Sequence, residues 1–427
     1  MKTFSRVALL VLVVVGIWKF AHSNHSLPIE LARLSPLPPA PPDPTNRWVD
    51  DERAVRLGHW LFFDTRLSID RSVSCATCHD PQRAFTDGKP LAETLGRGTR
   101  KTPTVLNTVY SRWFFWDGRA DTLWAQATEP IENSIEMGMD RVALAHRFHV
   151  EDDLRGAYQD LFGALPEMSQ TSRFPPHARP VLNEPEHPHS QAWAAMSAED
   201  REAINRFYSN VAKSLAAYES QLTRASAPFD RYVAARAAGD EQGAGHLSDA
   251  AVRGLNLFVG RGRCTSCHSG PTFSDLEFHN NQVPTRDGLP PTDPGRFQGA
   301  RQVRESAFNS SGKFSDERQG VAAARVRRLR TDSAGWGEFK TPSLRNLRGR
   351  EPYFHAGQMS DLRAVLKFYS TLEGASGQSH HQESVLKPLN LSQGETEDLI
   401  RFLETLEGLP LDPRWTQPPS GSGQVGK

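Results

Sequence analysis

The cysteines constrain this 427-residue chain most, because all four fall within two Cys-x-x-Cys-His segments, residues 75–79 and 264–268. Two thiols at this spacing can each form a thioether with a vinyl group of one porphyrin, and the adjacent histidine can then bind the iron. One such segment could instead be a redox disulfide, and two could share a tetrahedral zinc ion, but both alternatives leave the histidines without a role. The sequence therefore predicts two covalently attached haem c groups with His79 and His268 as iron ligands. The predicted thioether residues are Cys75, Cys78, Cys264 and Cys267.

The sequence around each motif follows the same helical plan. A helical pattern over residues 54–63 precedes the first motif, and a similar pattern over residues 251–258 precedes the second. Amphipathic segments at about 203–222 and 393–406 follow, the second of them opening with a Ser392–Glu395 capping box. We therefore predict a mainly α fold of two cytochrome c-type domains, each with one covalently bound haem c.

The chain termini and connections have compositions of their own. Lys2 and Arg6 precede an apolar run over residues 7–18, which is typical of an export signal and short for a membrane span. This pattern predicts a periplasmic protein, with an uncleaved N-terminal anchor as the alternative. The predicted boundaries are a signal peptide at 1–23, a Pro-rich, extended linker at 24–46, an N-terminal cytochrome c domain at 47–225, a linker at 226–245, a C-terminal cytochrome c domain at 246–411 and a disordered tail at 412–427.

Two further features bear on binding partners. Basic and acidic residues balance at 50 each, so no overall field indicates nucleic acid as a partner. Residues 174–189 are rich in Pro and His. Such loops can bind metal ions, but the composition favours a solvated surface excursion.

Longer motifs point to a family. The first half contains LFFDTRLS, CATCHDPQRAFTDG, TPTVLN, FFWDGRADTL and IEMGM, and the second contains FSDLEFHN, DPGR, FKTPSLRN and PYFHAGQMSDL. In this order they resemble the bacterial di-haem cytochrome c peroxidase family, which includes the MauG proteins. The resemblance covers roughly residues 47–410.

The resemblance implies roles for residues in the first half. The haem on His79 would be the peroxide-reacting centre. The distal Gln, Pro and Glu of the family fall on Gln126, Pro130 and Glu136, and Glu136 would be the general acid/base that assists cleavage of the O–O bond. Trp116 matches the residue that lies between the two haems and would relay electrons. The alternatives are a helix-surface carboxylate for Glu136 and a packing role for Trp116.

The chain departs from the classical members in the loop after the first motif. Those members have a histidine there that binds the resting peroxidatic iron, and they need partial reduction before it leaves. Here no histidine occurs between His79 and His146, and residues 91–104 read LAETLGRGTRKTPT. The resemblance therefore predicts an open position at the first haem, as in MauG.

The second departure concerns the other haem. Classical members place a methionine ligand fourteen residues after the histidine of the PYFH motif, where this chain has Tyr369. Tyrosine is the residue type that MauG uses, and an anionic phenolate favours ferric iron. Tyr369 could instead be a core aromatic residue, and Met359 is a rival ligand.

A third departure concerns calcium, which the family usually holds between the haems through an asparagine side chain and two carbonyls. The asparagine position is Lys101 here, and the carbonyls fall on Arg350 and Pro352. An ammonium group cannot ligate calcium. We therefore expect Lys101 to replace the ion by supplying positive charge and hydrogen-bond donors to the same carbonyls, with Arg350 adding further charge. The alternative is a solvent-facing Lys101, with water or a shifted calcium in the gap.

Together these features predict a peroxidase that reduces hydrogen peroxide to water without prior reductive activation. Its electrons would come from a small donor protein, a c-type cytochrome or a cupredoxin. A MauG-like oxidase that modifies residues of a partner protein is an alternative. A passive di-haem electron carrier is a third possibility.

Overall fold

The computed structural model describes residues 29–34, 36–240, 242–289, 291–375, 383 and 385–419. Within these ranges the protein is mainly helical, as predicted. Two short strands, β1 (Phe278–His279) and β2 (Phe339–Lys340), pair antiparallel. No helix of the described residues has the length and apolar character that a membrane crossing needs. The predicted signal peptide at 1–23 lies outside these residues.

The helices follow one another in this order: α1 Ile29–Leu34, α2 Glu52–Phe63, α3 Cys75–Cys78, α4 Leu123–Glu132, α5 Arg141–Val150, α6 Asp152–Phe162, α7 Pro188–Ala195, α8 Ala198–Glu219, α9 Pro228–Ala237, α10 Asp249–Val259, α11 Arg296–Glu305, α12 Val321–Arg327, α13 Leu362–Thr371 and α14 Gln393–Glu404. Short 3-10 helices lie at Thr65–Leu67, Pro81–Arg83, Thr108–Tyr110, Gly243–Gly245, Cys264–Ser266, Ser333–Gly335 and Pro413–Thr416.

The first hydrophobic core forms where α2 and α4 pack on the long helix α8. Gly58 allows α2 to approach closely, because a Cβ there would lie 1.8 Å from the carbonyl oxygen of Ser214. Helix α8 begins at Ala198, before the predicted start near residue 203. The reason is a cap: the Ser197 side chain accepts a hydrogen bond from the backbone N–H of Asp200.

The second core repeats this arrangement with α10 and α14. Gly254 is the counterpart of Gly58, since a Cβ there would lie 1.9 Å from the carbonyl oxygen of Asp398. The Ser392–Glu395 capping box at the start of α14 is confirmed. Each haem motif is therefore preceded by a helix that packs, through a glycine, against a later closing helix.

The two predicted linkers are wrong in part, because each contains a helix that packs into the second core. Leu31 and Leu34 of α1 lie in that core, together with Phe229 and Val233 of α9. Burial of these apolar side chains in the core stabilises a packed helix over an extended linker.

The two halves of the sequence also pack against each other. Phe308 and Phe314 come from the second half of the sequence but belong to the first core. Nearby, the Ser310 backbone N–H donates to Asp121 at 3.0 Å, and the Lys213 ammonium pairs with Asp316 at 2.6 Å. The domain boundary in the sequence is therefore not a boundary of packing.

The predicted disorder from residue 412 is wrong for residues 412–419. Residues Pro413–Thr416 form a 3-10 helix, and the Trp415 ring lies edge-on to His59 at 5.4 Å. The Tyr218 hydroxyl donates to the Trp415 carbonyl at 2.5 Å. An aromatic side chain thus fastens the start of this Gly/Ser-rich tail to α2 and α8 of the first core.

Candidate functional site

The first Cys-x-x-Cys-His segment is one helical turn, α3, that ends at His79. The backbone N–H of His79 donates to the Cys75 carbonyl at 2.9 Å, and its ring Nδ1 lies 3.2 Å from the carbonyl oxygen of Phe85. A proton on Nδ1 that is shared with this carbonyl leaves the Nε2 lone pair free, which is the tautomer that binds iron. Burial lowers the pKa of His79 and so favours the neutral ring.

The second segment repeats this geometry although its turn is a 3-10 helix. The backbone N–H of His268 donates to the Cys264 carbonyl at 2.8 Å, and its Nδ1 lies 2.9 Å from the Phe273 carbonyl oxygen. Burial again lowers the pKa of this histidine. Both histidines therefore present Nε2 as the available ligand atom.

None of the four cysteines is paired with another in a disulfide, and the two Cys-x-x-Cys-His segments lie on different cores. Cys75 packs against the first core, and Cys264 packs against the second. The described residues bring no two of the four cysteines into one metal-ligand cluster. This separation contradicts the shared zinc site, and the unpaired sulfurs do not support a disulfide.

A repeated Lys-Thr-Pro segment joins the two halves, and the sequence analysis missed it. The backbone N–H of Lys101 donates to the His355 carbonyl at 2.8 Å, and that of Lys340 donates to the Trp116 carbonyl at 2.8 Å. Residues 101–103 and 340–342 are thus pseudo-equivalent, and each half supplies a donor to the other. The signal was available as the KTP triplets that open both TPxxxN stretches.

The same pseudo-symmetry relates FFWDG to YFHAG. Phe115 and Phe354 both have positive φ, 63° and 67°, and each lies next to an isolated antiparallel bridge. Trp116 then corresponds to His355, and fourteen residues further on Pro130 corresponds to Tyr369. The predicted distal proline of the first half and the predicted iron ligand of the second therefore occupy equivalent positions.

Trp116 lies where the two halves meet. Its indole Nε1 donates to the Lys101 carbonyl at 2.9 Å, and its ring lies edge-on to the His355 ring at 6.5 Å. Its side chain lines the cavity that contains the second Cys-x-x-Cys-His segment. Trp116 therefore contacts both halves, and its role as an electron relay between the haems stays a prediction.

Gln126 and Pro130 lie one turn apart on α4. Most of this helix is buried, but Gln126, Glu129 and Pro130 form a half-buried stripe. Proline has no N–H, so the carbonyl of Gln126 loses its usual helical donor. Gln126 and Pro130 are therefore on the part of α4 that is not fully buried.

Glu136 lies in the loop of residues 133–139 that follows α4. The backbone N–H of Met137 donates to the Pro130 carbonyl at 3.2 Å, and the Asn133 side chain donates to Oε1 of Glu136 at 2.7 Å. Oε2 is then the oxygen that can hold a proton. Burial raises the pKa of Glu136, while the nearby Arg119 lowers it less. The structure thus places a half-buried carboxyl group, held by Asn133, in this loop rather than an exposed surface carboxylate.

Glu136 also lies near the first haem motif. Burial raises the pKa of Cys78 to about 12, and the charge of Glu136 adds to that shift. The histidine-free loop packs on the same side: the Gly96 N–H and the Thr94 hydroxyl both donate to the carbonyl of Ile135, at 3.0 and 2.8 Å. The loop that holds a ligand in classical members therefore supports the Glu136 loop here.

A cavity of about 320 Å³ surrounds the second motif. Cys264, Cys267, His268 and Tyr369 all line it, whereas Met359 does not. The Asn281 side chain donates to the Tyr369 hydroxyl at 3.1 Å, and burial raises the pKa of this tyrosine to about 12. Met359 instead pairs with Tyr353 through its backbone. The geometry favours Tyr369 over Met359 as the second ligand.

Lys101 is buried, which contradicts the solvent-facing alternative. It is 5% exposed, and its ammonium group has no hydrogen-bond partner among the described residues. Burial lowers the pKa of Lys101, and the charge of Arg350 lowers it further, while Asp87 raises it. Donation from Lys101 to the carbonyls of Arg350 and Pro352, as expected from the sequence, is not seen. Instead, Lys101 and Arg350 both line the cavity that contains the second Cys-x-x-Cys-His segment.

His279 is a site residue that the sequence analysis missed, although it lies in the FSDLEFHN stretch. Its Nε2 lies 2.7 Å from Asp275, and its Nδ1 lies 2.6 Å from Glu383. Hydrogen bonding to Asp275, supported by Cys267 and Glu383, raises its pKa to about 11. A cationic imidazole therefore lines the second cavity.

A mainly helical protein with two Cys-x-x-Cys-His turns, one on each of two adjoining cores, has the features of a di-haem c-type cytochrome. A distal carboxyl group near the first turn suits peroxide chemistry. The chain belongs to the di-haem cytochrome c peroxidase family, whose members include the MauG proteins, and its residues 52–238 match the family model "Di-haem cytochrome c peroxidase". The family relationship supports an oxidoreductase that acts on peroxide.

Two relatives and one structure illustrate the likeness. The chain is 35% identical to the methylamine utilization protein MauG of Methylorubrum extorquens, over 83% of this chain and 78% of that protein. It is 31% identical to a cytochrome-c peroxidase of Denitromonas iodatirespirans, over 84% and 82%. The diheme peroxidase BthA of Burkholderia thailandensis shares the fold, with a TM-score of 0.61, 22% identity and coverage of 87% and 90%.

Proposed function

We propose that this protein is a di-haem peroxidase that reduces hydrogen peroxide to water, with electrons from a small external donor such as a c-type cytochrome or a cupredoxin, and without prior reductive activation. The observation that carries the proposal is the position of the Glu136 carboxyl group near the first Cys-x-x-Cys-His segment. Glu136 is held by Asn133 in a loop supported by a histidine-free segment. No described side chain on that segment can act as the histidine ligand of classical members.

The residues present fit a haem at each motif. His79 and His268 each direct Nδ1 at a backbone carbonyl, and the second motif opens on a cavity. Bound haem would supply a redox-active iron to which peroxide can coordinate. Around it, Glu136 would take a proton from one peroxide oxygen and return it to the other through Oε2. Trp116 would provide an aromatic ring between the two centres.

We expect the fully oxidised protein to react with peroxide directly. Mixing ferric protein with one equivalent of peroxide should change the Soret band at once, because the segment after His79 offers no histidine that must first dissociate. The matched control is the same preparation after addition of one electron. A Soret band that changes only after that electron is added would contradict the open site.

A second candidate is a MauG-like oxidase that draws its electrons from residues of a partner protein. Tyr369 favours it, because a phenolate ligand at the second iron is the pattern that MauG uses. Steady-state turnover with a reduced donor cytochrome distinguishes the two functions. Rapid turnover favours the peroxidase, whereas slow turnover with oxidised residues in a co-purifying protein favours the oxidase. A passive electron carrier would need neither Glu136 nor its Asn133 contact.

We also propose that the protein is exported to the periplasm, where haem c is attached, and that an uncleaved anchor is the alternative. The support is the basic and apolar pattern at the N-terminus. N-terminal sequencing of the mature protein distinguishes the two forms.

We expect the protein to need no calcium. Lys101 places a buried positive charge at the family's calcium position, and a Ca²⁺ ion beside it and Arg350 would be repelled. Metal analysis after exhaustive chelation should find no calcium, with activity unchanged. Lys101→Asn, which restores an oxygen ligand, should bind more calcium than the wild type. One tightly held calcium per wild-type chain would contradict the replacement.

A further inference from the structure

Three side chains of the first domain converge although Asp140 is distant in sequence from His177 and His189. Nδ1 of His189 lies 3.0 Å from Oδ1 of Asp140, and Nδ1 of His177 lies 3.3 Å from Oδ2. The three ligand atoms, one from each residue, all lie within 4.8 Å of one another. Such distances are those of groups that can share one metal ion.

The fold holds these side chains in place. Phe174 and Ala178 of the His-rich excursion are buried, so the expected solvated loop is in part a packed one. The Arg179 backbone N–H donates to the His189 carbonyl at 3.3 Å, which closes the segment that carries both histidines. The Phe174 carbonyl lies 2.7 Å from Nε2 of His146 on α5, so the excursion is also tied to the helix that Asp140 precedes.

The carboxylate of Asp140 does not cap the helix that this residue precedes. Asp140 is the N-cap residue of α5, yet its side chain makes no capping hydrogen bond. It points at the two imidazoles, while Arg179 pairs with Oδ1 at 2.7 Å. An N-cap aspartate normally stabilises its helix by accepting a hydrogen bond from a backbone N–H of the first turn. The contacts that replace this cap are all made with the His-rich excursion.

Burial and chemistry define the kind of ligand. The Asp140 side chain is 2% exposed and lies at the bottom of the cluster, while His189 is 31% and His177 is 67% exposed. An ion could therefore enter from the solvent side and keep water in its remaining positions. Two imidazoles and one carboxylate suit zinc and copper(II) rather than calcium or magnesium, which prefer oxygen ligands.

We propose that Asp140, His177 and His189 form a binding site for a divalent transition-metal ion of the zinc or copper(II) type, separate from both haem motifs. Asp140 directly follows the loop of residues 133–139, which carries Glu136. Met139 of that loop donates its backbone N–H to the Ile131 carbonyl at 2.8 Å. The ion would join this loop and the start of α5 to the His-rich excursion. The site thus lies on the structure that supports the distal carboxyl group.

Isothermal titration of Zn²⁺ into the chelator-treated holoprotein tests the site. We expect one equivalent to bind, and the affinity to fall by about 100-fold or more in the double variant His177→Gln/His189→Gln, which loses two of three ligands. His149→Gln, on the far end of α5, is the matched control and should bind as the wild type does. Equal affinity in the wild type and the double variant, or no binding to the wild type, would overturn the proposal.

A second measurement does not depend on the variant folding. The zinc K-edge X-ray absorption of the wild-type holoprotein with one equivalent of Zn²⁺ is free of the iron signal. It should show nitrogen and oxygen neighbours at about 2.0–2.1 Å and the outer-shell scattering of imidazole. A spectrum without imidazole scattering would assign the bound zinc to an adventitious carboxylate or water site and reject the proposal.

Discussion

Glu136→Gln should slow the reaction of ferric protein with peroxide by about 10²–10⁴-fold, the range typical of a positioned acid/base. Glutamine keeps the size of the side chain and can still accept the hydrogen bond from Asn133, but it cannot take up and release a proton as a carboxyl group does. Stopped-flow absorbance at the Soret band measures the effect. Because burial raises the pKa of Glu136, the wild-type carboxyl group stays protonated to higher pH than an exposed glutamate.

The matched control is Glu129→Gln on the half-buried stripe of α4. Glu129 lies 3.8 Å from Arg119, the same cation that acts on Glu136, so this change alters the local charge and leaves the proton carrier in place. We expect it to change the rate by less than about tenfold, well below the effect of removing a general acid/base. Equal losses in both variants would assign the effect to charge and not to proton transfer by Glu136.

Tyr369→Phe should open a coordination position at the second haem and shift its spectrum from low spin toward high spin. Tyr369 lines the cavity of the second motif, and the change removes only its hydroxyl oxygen. Tyr369→Met should restore low spin with a raised reduction potential, because a neutral thioether favours ferric iron less than a phenolate does. Electronic absorption and a redox titration measure both effects.

Tyr353→Phe is the control for these two variants. Tyr353 lines the same cavity, but its hydroxyl donates to the Leu347 carbonyl at 3.2 Å. Its loss should leave the spin state of the second haem as it is in the wild type. A wild-type spectrum in Tyr369→Phe would reject the ligation and return attention to Met359.

The sequence predicted the elements that depend on short spacings. A cap three residues before its partner is a local feature, and the Ser392–Glu395 box is found where it was expected. The helical segments before and after each motif are found as well, with the start of α8 moved by the Ser197 cap. Composition predicted the linkers less well than the spacings predicted the helices. The helices α1 and α9 arose in segments assigned as linkers because their apolar residues find a core built by distant parts of the chain.

The haem-attachment motifs, the missing histidine and the identity of the residue at 369 were decided by the sequence alone, because each is a matter of residue type at a fixed step along the chain. Only the tertiary structure decided that the buried Lys101 ammonium has no hydrogen-bond partner among the described residues, that Trp116 faces His355, and that His177 and His189 meet Asp140. These facts depend on side chains separated by tens to hundreds of residues. Such side chains meet only after burial of the two cores has fixed the path of the backbone between them.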